Sequence, residues 1–263
     1  MKSSLLILLF HVMIVSADDT QVSCITLSPH LTELVYSAGG GDLLAGVSAY
    51  SDYPDEATEL PIIGDAFRLD LEQIKLLNPS IIFYWHQGTA AQVVRQLSDM
   101  GFNMVRVDIR TLADIPQAIR KIANMLGTTP VPETDQFAEA LTALKAQTTG
   151  QKTALIQISD KPIYTVGRDH WMSEAISTCG LLNVYDSLDA PAVAITLESA
   201  VLHNPQVIVT TMPFDQNSSL ASWTQVEAIR KQQVVELEAD HFTRPTLRLL
   251  LAIRQLCKAI QTN

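Results

Sequence analysis

Short apolar runs rich in β-branched residues alternate with amphipathic stretches along most of the chain. "CITLS" (24–28), "SIIFYW" (80–85), "NMVRVD" (103–108), "TALIQIS" (153–159), "QVIVTT" (206–211) and "QVVELE" (233–238) read as strands. "LADIPQAIRKIANML" (112–126) and "RPTLRLLLAIRQLCKAI" (244–260) carry apolar residues at helical spacing. Strand and helix in alternation predict mainly parallel sheets buried on both faces.

One unit occurs twice. "LDLEQIKLLNPSIIF" (69–83) and "ITLESAVLHNPQVIV" (195–209) align without a gap at an offset of 126 residues. They share Leu71/Leu197, Glu72/Glu198, Leu76/Leu202, Asn78/Asn204, Pro79/Pro205 and Ile82/Ile208. Asp70 or Thr196 caps a short helix. Asn-Pro then ends it and launches a strand, because a residue before proline avoids the α region. Two copies half a chain apart imply two similar lobes. Between them, "TTPVPETDQFAEALTALKAQTTGQK" (128–152) opens on Pro130 and Pro132 and closes on Gly150, with Phe137, Leu141 and Leu144 as one apolar stripe. About 15 helical residues there span roughly 22 Å, a stiff connection. The expected fold is α/β: two Rossmann-like lobes with mainly parallel sheets joined by a single long α-helix. The boundaries fall at 18–130 for the first lobe, 131–149 for the bridging helix and 150–263 for the second. A cleft between lobes is where a small ligand binds.

The first residues do not belong to this pattern. Lys2 precedes an eleven-residue apolar run, Leu5 to Val15, and small residues at Val15–Ala17 follow. The run is too short to span a bilayer and reads as a secretory signal peptide (1–17) cleaved after Ala17. Its removal takes the net charge from −10 to −11. An acidic chain without a Lys/Arg cluster is a poor partner for nucleic acid or anionic lipid. Export permits a disulfide, and spacing leaves open which two of Cys24, Cys179 and Cys257 would form it. Cys24, inside an apolar run, reads as a buried strand residue.

Enzyme signatures are missing: the sequence contains no GxxxxGK[ST], HExxH, GxSxG or CxxC. "SAGGGD" (37–42) follows a helical pattern and reads as a C-cap turn. His30 and Glu33 have the spacing of two metal ligands, but Ser28-Pro29 ahead of them reads as the start of a solvated helix, and no metal site is expected. Glu72 and Glu198 suit the positive end of a helix dipole, or equally two exposed anchors for a partner. The turn "SAYSDYP" (48–54) carries two aromatics, Tyr50 and Tyr53, which either cap a core or face a ligand.

"ITLSPHLTELVYSAGG…GVSAYSDYP" (25–54), "YWHQG" (84–88), "KPIYTVGRD" with "CG" (161–169, 179–180) and "ADHFTRPTLRLLLAIRQLC" (239–257) together resemble the periplasmic vitamin B12 (cobalamin) binding proteins of ABC importers. The likeness covers nearly the whole chain after the leader. It implies the helix-bridged two-lobe fold and a disulfide between Cys179 and Cys257. It implies that Tyr50, Trp85 and Tyr164 line the cleft and that Asp240, His241, Phe242, Thr243 and Arg244 form a ligand-contacting stretch. It also implies that Glu72 and Glu198 dock on the inner-membrane permease. Ala66 and Ala192 stand where the family can carry cleft tryptophans, and Phe67 and Trp171 are the nearby aromatics that would compensate. Trp223 reads as core packing.

A corrin ring, a broad apolar face rimmed by amides, suits such aromatics, with Asp240 and Arg244 serving the rim. The expected function is capture of cobalamin in the periplasm and delivery to an ABC permease, without catalysis and without a resident cofactor. The rivals are a haem or siderophore binder on the same fold, with Tyr50, Tyr164, His86 or His241 as an axial ligand, and a secreted α/β enzyme.

Overall fold

The structure, a computed structural model, describes residues 22–148 and 150–261. The expected leader lies outside the described residues. The first half holds β1 (Cys24–Thr26), α1 (Pro29–Ser37), β2 (Leu44–Val47), α2 (Leu71–Leu77), β3 (Ile81–Tyr84), α3 (Ala91–Asp99), β4 (Met104–Arg106) and α4 (Asp114–Leu126). Its four strands form one parallel sheet in the order β2-β1-β3-β4. The helix α5 (Glu133–Ala146) follows, 14 residues and roughly 21 Å long.

The second half holds β5 (Lys152–Gln157), β6 (Ser159–Asp160), β7 (Ile163–Thr165), α6 (Trp171–Thr178), β8 (Leu181–Asn183), β9 (Val193–Ile195) and α7 (Leu197–His203). It continues through β10 (Val207–Thr210), α8 (Glu227–Arg230), β11 (Val234–Glu236), α9 (Ala239–Thr243) and α10 (Leu249–Gln261). Its parallel sheet runs β11-β10-β5-β8, and a small antiparallel sheet, β6-β7-β9, stands beside it.

The middle strands of the two parallel sheets, β1, β3, β5 and β10, are mostly apolar because each of these sheets is covered on both sides. Successive side chains of a strand point to opposite faces. Cys24 and Phe83 therefore belong to one core cluster, and Ile25 and Ile82 to another. The second sheet repeats the arrangement, with Ala154, Ile156, Val207 and Val209 on one face and Leu155 and Ile208 on the other. The shared cluster is continuous from Leu31 and Ile119 through Phe137 of α5 to Ile156, Trp171 and Ile253. Phe137 is fully buried, with Leu141 and Leu144 packed against the same cluster. One core running through both halves resists a wide hinge motion.

The duplicated unit folds alike in both copies. The Asp70 carboxylate accepts from the Gln73 N–H at 2.9 Å, and the Thr196 hydroxyl accepts from the Ser199 N–H at 3.1 Å. Asn78 and Asn204 both close their helices with φ of 42°, in the left-handed region. The helix stop thus comes from an asparagine that tolerates this conformation, not from an extended pre-proline residue.

Three expectations change in detail. The last helix starts at Leu249, not at 244, because Arg244 is extended ahead of Pro245 (φ −100°, ψ 117°). β2, β7, β8 and β9 have no counterpart among the expected strands, and the expected strand 153–159 divides into β5 and the start of β6. The helix start at His30 and Glu33 is buried, not solvated.

Candidate ligand site

The loop 48–54 is held from below by hydroxyls. Thr26 and Thr32 share a hydrogen bond of 2.7 Å, the Thr32 hydroxyl donates to Ser51 at 3.0 Å, and Ser48 and Ser51 are 3.3 Å apart. All four residues are buried, so this chain satisfies groups that would otherwise be costly. Above it, Tyr50 has φ of 66°, uncommon for a bulky residue, and its side chain is 79% exposed. A loop that fixes a backbone in this region while leaving a large aromatic in solvent is built to present that side chain.

The second half of the chain clamps the loop. Arg244 donates to the Tyr50 carbonyl at 3.2 Å and to the Asp52 carboxylate at 2.6 Å, and it pairs with Asp240 at 2.9 Å. It also donates to Glu33 at 3.1 Å. Glu33, only 2% exposed, further accepts from Arg248 Nη2 at 2.6 Å, Arg248 Nε at 3.0 Å and the Thr246 hydroxyl at 2.8 Å. The Arg248 guanidinium lies 3.9 Å above the Tyr53 ring. The hydrogen bond from Arg244 holds the Asp52 carboxyl below the usual carboxylate range. Burial opposes the charge on Arg244, yet its bonds to Asp52 and Glu33 leave its pKa raised.

Trp85, at the end of β3, is half-buried, and its ring meets the His30 ring edge-on with centroids 5.2 Å apart. A Cβ on Gly88 would fall 2.4 Å from Trp85 Cε3, so only glycine lets the chain pass over the indole. Burial, and then the charge of Arg244, push the His30 pKa down to about 3, so this imidazole is neutral at pH 7.

The sequence-predicted residues are thus only partly gathered. Tyr50, Asp240 and Arg244 form one cluster, while Trp85 meets His30, which feels the charge of Arg244. His241 and Thr243 are half-buried on α9, where the Thr243 hydroxyl donates to the Ala239 carbonyl at 2.8 Å. The Phe242 side chain is 1% exposed and belongs to the core, so it braces α9 from behind. Tyr164 stands exposed on β7, opposite Ala194 of β9. Ala66 and Ala192 are exposed. Of the two nearby aromatics, Trp171 is buried, while Phe67 is 96% exposed beyond a turn in which Asp65 accepts from the Phe67 and Arg68 N–H groups at 2.8 Å. Trp223 packs against the second sheet's cluster.

A separate recess of about 630 Å³ lies between α1, α5 and α10, lined by Tyr36, Tyr53, Phe137, Leu251 and Arg254. It touches the loop only at Tyr53 and Pro54 and includes none of Tyr50, Trp85 and Tyr164. Among the described residues no group of three or more His, Cys, Asp or Glu side chains is placed to hold a metal ion. Cys179 and Cys257 are disulfide-bonded, with Cα atoms 4.7 Å apart. Cys24 is a free, buried thiol whose pKa burial pushes up to about 12, which makes it unreactive. Glu72 and Glu198 are both exposed.

Residues 24–241 match the model of the periplasmic binding protein family. The chain belongs to that family. A vitamin B12-binding protein of Vibrio vulnificus (strain CMCP6) is 34% identical over 262 residues, covering 97% of this chain and 95% of its own. One from Pectobacterium carotovorum (strain PC1) is 31% identical over 242 residues, covering 90% and 87%. Among solved periplasmic binding proteins, the vitamin B12-binding protein BtuF of Vibrio cholerae superposes with a TM-score of 0.81 at 32% identity, covering 91% of this chain and 96% of its own. The heme-binding protein HutB of Vibrio cholerae superposes at 0.72 with 18% identity, covering 92% and 98%, a likeness of fold alone. Among the described residues no helix is long and apolar enough to cross a membrane.

Proposed function

We propose that the chain captures vitamin B12 (cobalamin) in the periplasm, between its two halves, and delivers it to the permease of an ABC importer. The observation that carries this reading is the Tyr50 loop: an exposed aromatic on a backbone pinned across the molecule by Arg244, in a chain related over nearly its full length to vitamin B12-binding proteins. The lobes are residues 18–130 and 150–263, bridged by 131–149. The chain acts by binding and not by catalysis, and cobalamin is cargo, not a cofactor. Tyr50, Trp85 and Tyr164 give broad contact with little rotamer entropy lost. Asp240, His241 and Thr243 serve the amide rim. Arg244 sets the loop, with Phe242 behind it. Phe67 offers apolar area where Ala66 and Ala192 provide none. Glu72 and Glu198 dock on the permease.

Haem binding draws less support, because the heme-binding relatives share the fold at low identity. Calorimetric titration of the mature chain with cyanocobalamin, cobinamide and haemin separates the readings. Micromolar or tighter corrinoid binding without haemin binding is expected. Haemin binding with a Soret shift and no corrinoid heat would overturn it.

A further inference from the structure

Two leucines stand in solvent at equivalent places. Leu76 on α2 is 80% exposed and Leu202 on α7 is 84% exposed. They occupy the same position of the duplicated unit, and neither packs against a core cluster. Each lies four residues after an exposed glutamate, Glu72 or Glu198, and so on the same helix face one turn along. The opposite face of each helix is anchored by a buried residue, Ile74 or Ala200.

A single exposed leucine needs no explanation. The pattern of what the copies share does. Between 71 and 77 and between 197 and 203, the positions identical in both copies are Leu71/Leu197, Glu72/Glu198 and Leu76/Leu202. The first pair is half-buried and packs on its own sheet. The other two are the exposed pairs. The positions between them differ freely, Gln73 against Ser199 and Lys75 against Val201. The fold needs neither the carboxylate nor the leucine, since the caps are made by Asp70, Thr196, Asn78 and Asn204.

We propose that Leu76 and Leu202 add an apolar anchor to the two docking glutamates, each leucine seating in an apolar recess of the permease beside the cation that meets Glu72 or Glu198. This rests on the docking reading above. A carboxylate calls for the cation, and the leucine one turn along for the recess. Burying each leucine strengthens the contact by about tenfold or more.

The test compares mature protein carrying Leu76→Ser, Leu202→Ser or both with Glu72→Lys and Glu198→Lys. Binding to the importer's permease–ATPase complex in nanodiscs is measured beside cyanocobalamin affinity and sedimentation. Each leucine variant is expected to weaken complex formation by about tenfold, the two to a similar degree, with corrinoid affinity unchanged. If the charge reversals abolish binding while both leucine variants stay within about twofold of the parent, the apolar contact is wrong and the docking reading survives. If neither set matters, the docking reading falls and this inference with it. If the parent sediments as a dimer that the leucine variants disperse, the leucines join copies of the chain and the proposal is overturned.

Discussion

Replacing Glu33 by glutamine keeps the shape of the side chain and removes its charge. Glu33 accepts four hydrogen bonds, from Arg244, twice from Arg248 and from Thr246, in a site almost closed to water. Glutamine offers one oxygen and turns an N–H₂ group toward guanidinium donors. Breaking a buried ion pair by removing one partner costs about 3–5 kcal/mol. Arg244 keeps Asp52 and Asp240, which softens its share, whereas Arg248 keeps the face of Tyr53. The lower end, about 3 kcal/mol, is therefore expected, a factor of roughly 150 in the ratio of folded to unfolded protein. In urea unfolding at pH 7 the midpoint falls by roughly 1 M with the slope unchanged. Cobalamin affinity falls too, because Arg244 holds the Tyr50 carbonyl. A loss under about 0.5 kcal/mol, with affinity intact, would refute the reasoning that Glu33 is the hub joining the two halves at this loop.

Tyr50→Ala should weaken corrinoid binding by about 2 kcal/mol or more with little change in stability, whereas Tyr53→Phe should leave binding nearly unchanged. Equal effects in calorimetry would undo the division of roles between the two rings. His30 is neutral in the fold, with a pKa near 3, but takes up a proton below about pH 6.5 once unfolded. The unfolded chain then binds the extra proton, so stability is complete above about pH 6.5 and declines as pH falls toward the folded value, by up to ~1.4 kcal/mol per pH unit. His170, lowered to about 4 by burial, adds a second slope of the same sign. Urea unfolding at pH 7, 6 and 5 should show a shallower decline for His30→Asn than for the parent, and parallel lines would contradict this. Replacing Cys179 and Cys257 by serine opens a link across 78 residues and should cost about 4.5 kcal/mol on the loop-entropy model, read as a lowered melting temperature.

Much of the fold was legible in the sequence where one short stretch settles its own conformation. The central strands β5 and β10 are apolar at consecutive positions because both faces are covered, and Asp70, Thr196, Asn78 and Asn204 punctuate the duplicated helices in plain view. β2 escaped notice because it is short and contains Gly46, where a Cβ would come within 2.8 Å of the Ile63 side chain. The antiparallel strands are two or three residues long, too short for an alternation to register. The site was legible as residue types, not as a network. Glu33 looked like a solvated helix start, and its partners lie 211 to 215 residues away. A signal was present: Arg244 and Arg248 sit four apart beside an apolar helix, and two largely buried cations demand a carboxylate. Phe242 shows the converse, since the contiguous stretch Asp240–Arg244 turns one side chain inward to the core.

A crystal structure of the mature chain with cyanocobalamin tests the central claim most directly. The expected result is one corrinoid between the two halves, its ring face against Tyr50 and its opposite side toward Tyr164, with the Arg244–Tyr50 carbonyl bond preserved. A corrinoid bound away from Tyr50, or seated in the recess formed by Tyr36, Phe137 and Leu251, would contradict it.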